Sequence, residues 1–158
     1  MNYYITTPSP LGELIITSNG NEITGLYTPG NSHYEAAQNG IEDETPFEEA
    51  IRQLDEYFAG QRQEFDLPLA IEGTEFQKNV WKTLQSIPHG KTRSYVELAA
   101  AIGDTNASRA VGTANGRNPI SIIIPCHRVI NASGELGGYN GGLDKKKWLL
   151  DHEAKKAG

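Results

Sequence analysis

The chain has 158 residues, 37% hydrophobic and 22% charged, with two Trp, seven Tyr and four Phe, enough apolar material for one ordinary domain or two small ones and too much for general disorder. No run approaches the roughly 18 apolar residues of a membrane span, and no basic segment followed by an apolar stretch opens the chain, so a cytoplasmic protein with no membrane contact is expected. The net charge of −6 is unevenly spread: residues 1–73 hold two basic and thirteen acidic residues, a net of −11, whereas residues 74–158 net +5, which leaves the second half as the candidate for meeting a polyanion through a local cationic face.

Tyr3 to Thr7 and Glu13 to Thr17 are rich in β-formers, and the turn Ser18-Asn19-Gly20-Asn21 leads into Glu22 to Thr28, the pattern of a hairpin. A three-stranded sheet follows. After a polar stretch over 29–46, Phe47, Ile51, Leu54 and Phe58 recur at helical spacing up to Gly60, and that helix is expected to cover the sheet. A short segment, Glu64 to Leu69, leads to Ile71-Glu72-Gly73, where charge sign and pattern both change. The expected division is therefore a small α/β domain over 1–70 and a mainly α domain over 71–158.

In the second half Thr74 is a candidate N-cap for a helix with Phe76, Val80, Trp81, Leu84 and Ile87 as its buried stripe, ended by Pro88-His89-Gly90. Ser94 and Glu97 stand three apart, the sequence form of a capping box, and open a helix from Tyr95 to Ile102 that Gly103 closes. A second short helix, about Ala107 to Ala114, is made of small residues with Arg109 as its one charge. Two short helices joined by a Gly-containing turn predict a helix-turn-helix, and a helix of small residues lets backbone and a lone Arg approach a duplex closely. Ile120 to Ile124, an unbroken apolar run bounded by Pro119 and Pro125, predicts a buried extended strand delivering Cys126 at its end. A Gly-dense loop over 131–142 carries Tyr139, and Asp144 opens a final helix through Trp148, Leu149 and Leu150 to Glu153.

Cys126 is the only cysteine, so no intrachain disulfide and no multi-cysteine metal site can form; His33, His89, His127 and His152 show no ligand spacing. No metal and no cofactor are expected. A lone thiol is more often inert and buried than reactive, and a nucleophilic one needs a base or a cationic neighbour. His127 and Arg128 adjoin it, but successive side chains diverge, so a water would have to bridge Cys126 to His127. Asp151 and Glu153 are both candidates to hold the other imidazole nitrogen.

Ile124-Pro125-Cys126-His127-Arg128-Val129 resembles the active-site motif of the O6-alkylguanine-DNA alkyltransferases. Ser94-Tyr95, Ser108-Arg109-Ala110-Val111-Gly112, Asn118-Pro119, Gly138-Tyr139-Asn140-Gly141-Gly142 and Trp148-Leu149-Leu150-Asp151-His152-Glu153 resemble family segments in the same order. The strong similarity covers about residues 74–155, and the first half resembles the family's small ribonuclease-H-like α/β layout. The resemblance implies one-time, irreversible transfer of an alkyl group from O6-alkylguanine, and from O4-alkylthymine, to Cys126 after base flipping. It implies His127 as base through a water, Glu153 as the carboxylate orienting it, and Tyr95 as donor to the flipped base. Ser94, Asn118, Tyr139 and Asn140 would serve the substrate pocket. Arg109 would fill the vacated stack, with Ala107, Ser108, Thr113 and Arg128 also on DNA. The implied partner is double-stranded DNA carrying alkylated guanine, met by a monomer. Two departures stand out: Asn140, where some relatives carry Ser, and the lack of the Cys and His ligands with which some relatives hold zinc. A damage sensor without alkyl transfer and a cysteine hydrolase are the rival readings.

Overall fold

The computed structural model describes residues 1–157 as two compact units: Met1–Ile71 with Pro119–Ile123, and Glu72–Asn118 with the chain from Ile124 onward. In the first unit β1 (Tyr3–Thr7), β2 (Leu14–Ser18) and β3 (Ile23–Tyr27) form an antiparallel meander, with Tyr3 opposite Ser18 and Ile15 opposite Tyr27. The tight turn after β2 holds because Gly20 takes a positive φ of 104° and Asn19 Oδ1 accepts from the amides of Asn21 and Glu22. A fourth strand, β4 (Ile41–Glu42), pairs parallel to β1 and gives the order β3-β2-β1-β4. Two residues long and exposed, it lacks the alternation by which the other three strands are readable.

The helix α1 (Glu48–Phe58) buries Ala50, Gln53, Leu54 and Tyr57. Its inner stripe is thus turned by about a residue from the expected one, leaving Ile51 and Phe58 half-buried. Gln53 explains the turn: its amide donates to the Asp66 carbonyl and its carbonyl accepts from the Asp66 amide, pinning the following segment to the helix. The 3-10 turn Thr45–Phe47 ahead of α1 packs its buried Phe47 toward β2.

The expected strand over 120–124 is not formed. Only Ile120 pairs, as a single parallel bridge to Leu26, through Leu26 N–H to Pro119 O at 2.9 Å and Ser121 N–H to Leu26 O at 3.1 Å. The chain then turns, with Ile122 at φ 72°. For a β-branched residue this left-handed conformation costs on the order of 1–3 kcal/mol. An unbroken apolar run records burial alone, and burial here belongs to a turn.

In the second unit α2 (Glu75–Leu84) starts from a complete capping box: Thr74 Oγ1 accepts from Gln77 N–H, and Gln77 Oε1 accepts from Thr74 N–H. β5 (Arg93–Ser94) leads straight into α3 (Tyr95–Ala101), whose box is Ser94 with Glu97. Gly103, at φ 87°, ends α3, and α4 (Ser108–Gly116) follows and packs against both α2 and α3. The Trp81 indole N–H donates to the Ala114 carbonyl at 2.8 Å, tying α2 to the last turn of α4. β6 (Val129–Ile130) pairs parallel to β5, and α5 (Leu143–Ala157) completes the unit. Among the described residues no helix is long and apolar enough to cross a membrane.

Candidate active site

Cys126 sits in a short 3-10 turn, Cys126–Arg128, and is 5% exposed. Side chains from the end of α4 hold it there. Asn118 Nδ2 donates to Ile124 O at 2.7 Å and Asn115 Nδ2 donates to Cys126 O at 3.3 Å. The backbone closes the turn itself, Arg128 N–H reaching Pro125 O at 3.0 Å. Burial pushes the thiol above its ordinary range; a hydrogen bond from Asn118 and the nearby Lys146 ammonium pull the other way. The thiol therefore depends on its neighbours to ionise.

His127 is fully buried. Its Nε2 lies 2.7 Å from Glu153 Oε2, and among the described residues its Nδ1 has no hydrogen-bond partner. With Glu153 accepting, Nε2 carries the hydrogen and Nδ1 is the free basic nitrogen. Burial pushes the imidazole below its ordinary range against the pull of Glu153. Burial alone would raise the Glu153 carboxyl as well, but bonds from His127 and Arg128 outweigh it and hold the group well below the usual carboxylate range. Asp151, the other candidate carboxylate, is exposed and pairs with Lys147.

Arg128 corrects an expectation. It was placed on the DNA-facing surface, yet it is buried, with Nε 2.8 Å and Nη2 3.0 Å from the Glu153 carboxylate and Nη1 2.6 Å from Ile87 O. A guanidinium buried and committed to three internal acceptors is not presented to phosphate. Its position beside the motif cysteine cannot reveal this, since the partner carboxylate is twenty-five residues away.

A cavity of about 440 Å³ is lined by Tyr95, Val96, Ser108, Arg109, Gly112, Asn131, Ala132 and Gly138. Ser108 and Gly112 lie on one face of α4, four residues apart. Gly137, at φ 72°, lets the loop pass close to Tyr95: a Cβ there would lie 3.1 Å from the hydroxyl. Arg109 also borders a second groove of about 560 Å³ with Ala107, Ala110 and Thr113. It stands exposed on the ridge of α4 between the two. Ser94 is buried and its oxygen accepts from Glu97 N–H, so its first task is capping, though it reaches a smaller cavity with Thr92, Arg93 and Ile130. Tyr139 is half-buried, and Asn140 Nδ2 donates to Gly116 O at 3.3 Å, fastening the glycine loop to the end of α4.

Two residues escaped the sequence reading. Asn115 is described above. Lys146 is completely buried and its ammonium donates to Val129 O at 2.7 Å, to Gly138 O at 3.0 Å and to Leu136 O. Burial pushes its pKa down to about 8. A signal existed: Lys146, Leu149 and Glu153 fall at helical spacing on the inner face of α5, where an unpaired-looking lysine has to have found acceptors.

A buried thiol, a histidine with a carboxylate on its far nitrogen, and a small-residue helix bearing one exposed arginine together define a cysteine-nucleophile site set beside a helix pair. The chain belongs to the 6-O-methylguanine DNA methyltransferases: that family's DNA-binding domain matches residues 75–155 and its ribonuclease-like domain residues 2–71. A methylated-DNA–protein-cysteine methyltransferase of Methanosarcina barkeri is 50% identical over 152 residues, covering 96% of each chain. One of Mycobacterium bovis is 47% identical over 163 residues, covering 99% of this chain and 95% of its own. A crystal structure of Mycobacterium tuberculosis OGT in complex with DNA superposes with a TM-score of 0.92 at 47% identity, over 98% of this chain and 94% of that one.

Proposed function

We propose that this protein repairs O6-alkylguanine in double-stranded DNA by moving the alkyl group irreversibly to Cys126, one group per molecule. The observation that carries the reading is the His127 imidazole, fully buried beside Cys126 with Glu153 at 2.7 Å on one nitrogen and the other nitrogen free. In the reaction the Cys126 proton passes through one water to His127 Nδ1, and Glu153 stabilises the imidazolium. Sulfur attacks the alkyl carbon, an S–C bond forms, and the C–O6 bond breaks with its electron pair going to the base. Tyr95 donates its hydroxyl hydrogen to the base as negative charge develops there.

The target carbon is out of reach inside a stacked duplex, so the nucleotide has to leave the stack. α3 and α4 act as a helix-turn-helix, with Ala107, Ser108 and Thr113 against the duplex and Arg109 filling the gap the base leaves. Asn118 braces the nucleophile turn; Tyr139, Asn140 and Ser94 shape the pocket wall. The first unit is the acidic domain, and the second unit is the part that binds DNA and accepts the alkyl group. O4-alkylthymine is the second substrate, and the protein acts as a cytoplasmic monomer.

Incubation with a duplex containing O6-methylguanine is expected to add one methyl mass to the peptide holding Cys126, with a burst limited to one equivalent. Tight binding with no mass gain would leave a damage sensor instead. Turnover beyond one equivalent would favour a hydrolase.

A further inference from the structure

Two tight reversals lie between the end of α4 and the thiol. The first is over Ile122, whose φ is 72° and whose neighbours are joined by Ile123 N–H to Ser121 O at 2.8 Å. A bond from i to i+2 over a positive φ is the rare and strained form of the γ-turn. The second is over Pro125, at φ −82° and ψ 65°, closed by Cys126 N–H to Ile124 O at 2.8 Å, which is the relaxed inverse form. Every residue from Ile120 to Val129 is buried, and Ile122 is 1% exposed.

Glycine takes a positive φ at no steric cost, whereas a β-branched residue there is a true outlier. Such strain persists only where the surroundings over-determine it. Here both ends of the turn are fixed. Upstream, Ser121 N–H is bonded to Leu26 O at 3.1 Å; downstream, the Ile124 carbonyl accepts twice, from Asn118 Nδ2 at 2.7 Å and from Cys126 N–H. Isoleucine adds the stiffness that glycine lacks: its χ1 is restricted, and reversing its φ would drag a buried side chain out of place. With the Pro125 ring fixing its own φ, the arm from Ser121 to Cys126 has little freedom left.

We propose that Ile122 is a positioning residue for Cys126: its buried, β-branched side chain enforces a left-handed turn that stiffens the arm carrying the nucleophile. The proposal rests on the reading of Cys126 as the alkyl acceptor. A thiol that reacts once gains rate when the resting protein already holds it near its line of attack, and a misplacement of about 1 Å is worth as much as about 10²-fold. The strain at Ile122 is what that restriction costs, which explains why the position holds isoleucine and not the glycine its φ invites.

The test compares Ile122→Gly and Ile122→Val with wild type in the cold, where all are folded. Two rates are read: single-turnover transfer from a saturating O6-methylguanine duplex, and labelling of Cys126 by iodoacetamide in the free protein. Glycine leaves the turn available without enforcing it. Transfer in Ile122→Gly should slow by about tenfold, with affinity for the lesion duplex within about twofold of wild type. Labelling should instead speed up by about threefold or more and stay independent of urea below the unfolding transition, the mark of a local opening. Ile122→Val keeps the β-branch and loses one methyl, so both rates should stay within about twofold of wild type. Unchanged transfer in folded Ile122→Gly, labelling that rises only with urea, or a valine variant as slow as the glycine one would each overturn the assignment. If wild type transfers no alkyl group, the alkyl-acceptor reading falls, and the labelling rates still decide whether Ile122 stiffens the arm.

Discussion

Glu153→Gln separates the chemical role of the carboxylate from its structural one. Glu153 takes three internal bonds, from His127 Nε2 at 2.7 Å and from Arg128 Nε and Nη2 at 2.8 and 3.0 Å. Glutamine has one acceptor oxygen and turns two hydrogens toward groups that are themselves donors, so the Arg128 guanidinium is left buried beside a repelling amide. Breaking a buried charge pair costs about 3–5 kcal/mol, which for a chain of this size lowers Tm by roughly 6–20 °C. The carboxylate is also what opposes the desolvation of His127. Without it the imidazole falls further below its ordinary value, the proton of Cys126 has a poorer destination, and transfer should slow by about 10²–10⁴. The pH at which the rate rises, set by the imidazole losing its own proton, should move downward, whereas affinity for undamaged duplex should hold. Rates are to be compared at 10–15 °C, where wild type and variant are both folded, by mass of the Cys126 peptide against time. A folded variant that transfers within about threefold of wild type with the same pH profile would refute the role of Glu153 as the group that charges the base.

For Arg109→Ala, repair of a duplex lesion should fall at least about tenfold more than reaction with free O6-benzylguanine, because only the duplex requires extrusion; equal losses would contradict the wedge role. Lys146→Met leaves three buried carbonyls without their shared donor, and urea unfolding should show a loss of about 3 kcal/mol or more. Thr74→Ala removes one half of the α2 capping box and should cost about 1 kcal/mol without altering the transfer rate. The His127 imidazole is held below its ordinary 6.5, so its folded-state pKa is the lower one. Its contribution is then whole above pH 6.5 and lost as pH falls through that depressed value. Denaturation midpoints measured from pH 7 down to 5 should show the decline, and His127→Gln should flatten it.

What could be read from the sequence was whatever has a local cause. Ser94 with Glu97 announces a helix start because both partners of the capping box lie within one turn, and Asn19-Gly20 announces a hairpin because the positive φ falls on a residue that tolerates it. Lys146, Arg128 and Asn115 could not be placed in this way. Each owes its role to acceptors eight or more residues distant, Gly138, Leu136 and Val129 for Lys146, Glu153 and Ile87 for Arg128, Cys126 for Asn115. The run from Ile120 to Ile124 misled for a related reason. Its burial is real, but Ile122 at φ 72° turns the chain, and apolar content says nothing about the sign of φ. Cys126 and His127 stood as candidates by their adjacency, with Asp151 and Glu153 both open as the carboxylate; the resemblance chose Glu153 and lifted the thiol above the inert reading that composition alone supports.

The end of α4 is where the proposed DNA surface and the chemistry share one rigid body. Arg109 and Asn115 are six residues apart on the same helix, about 9 Å along its axis at 1.5 Å per residue. Four side-chain bonds converge on that last turn and the residues after it: Trp81 to Ala114 O, Asn140 to Gly116 O, Asn115 to Cys126 O and Asn118 to Ile124 O. The first two hold the helix end to α2 and to the glycine loop; the other two hold the nucleophile turn to the helix. A duplex seated against Arg109 therefore stands at a set distance from the sulfur, because no flexible segment intervenes between the wedge and the brace. A loop in place of α4 could carry the same arginine, but the base it displaced would meet the thiol at a distance that varied from one encounter to the next. For a nucleophile that reacts once, near-attack geometry has to be built into the resting protein. The asparagines at positions 115 and 118 build it by gripping the backbone carbonyls of Cys126 and Ile124.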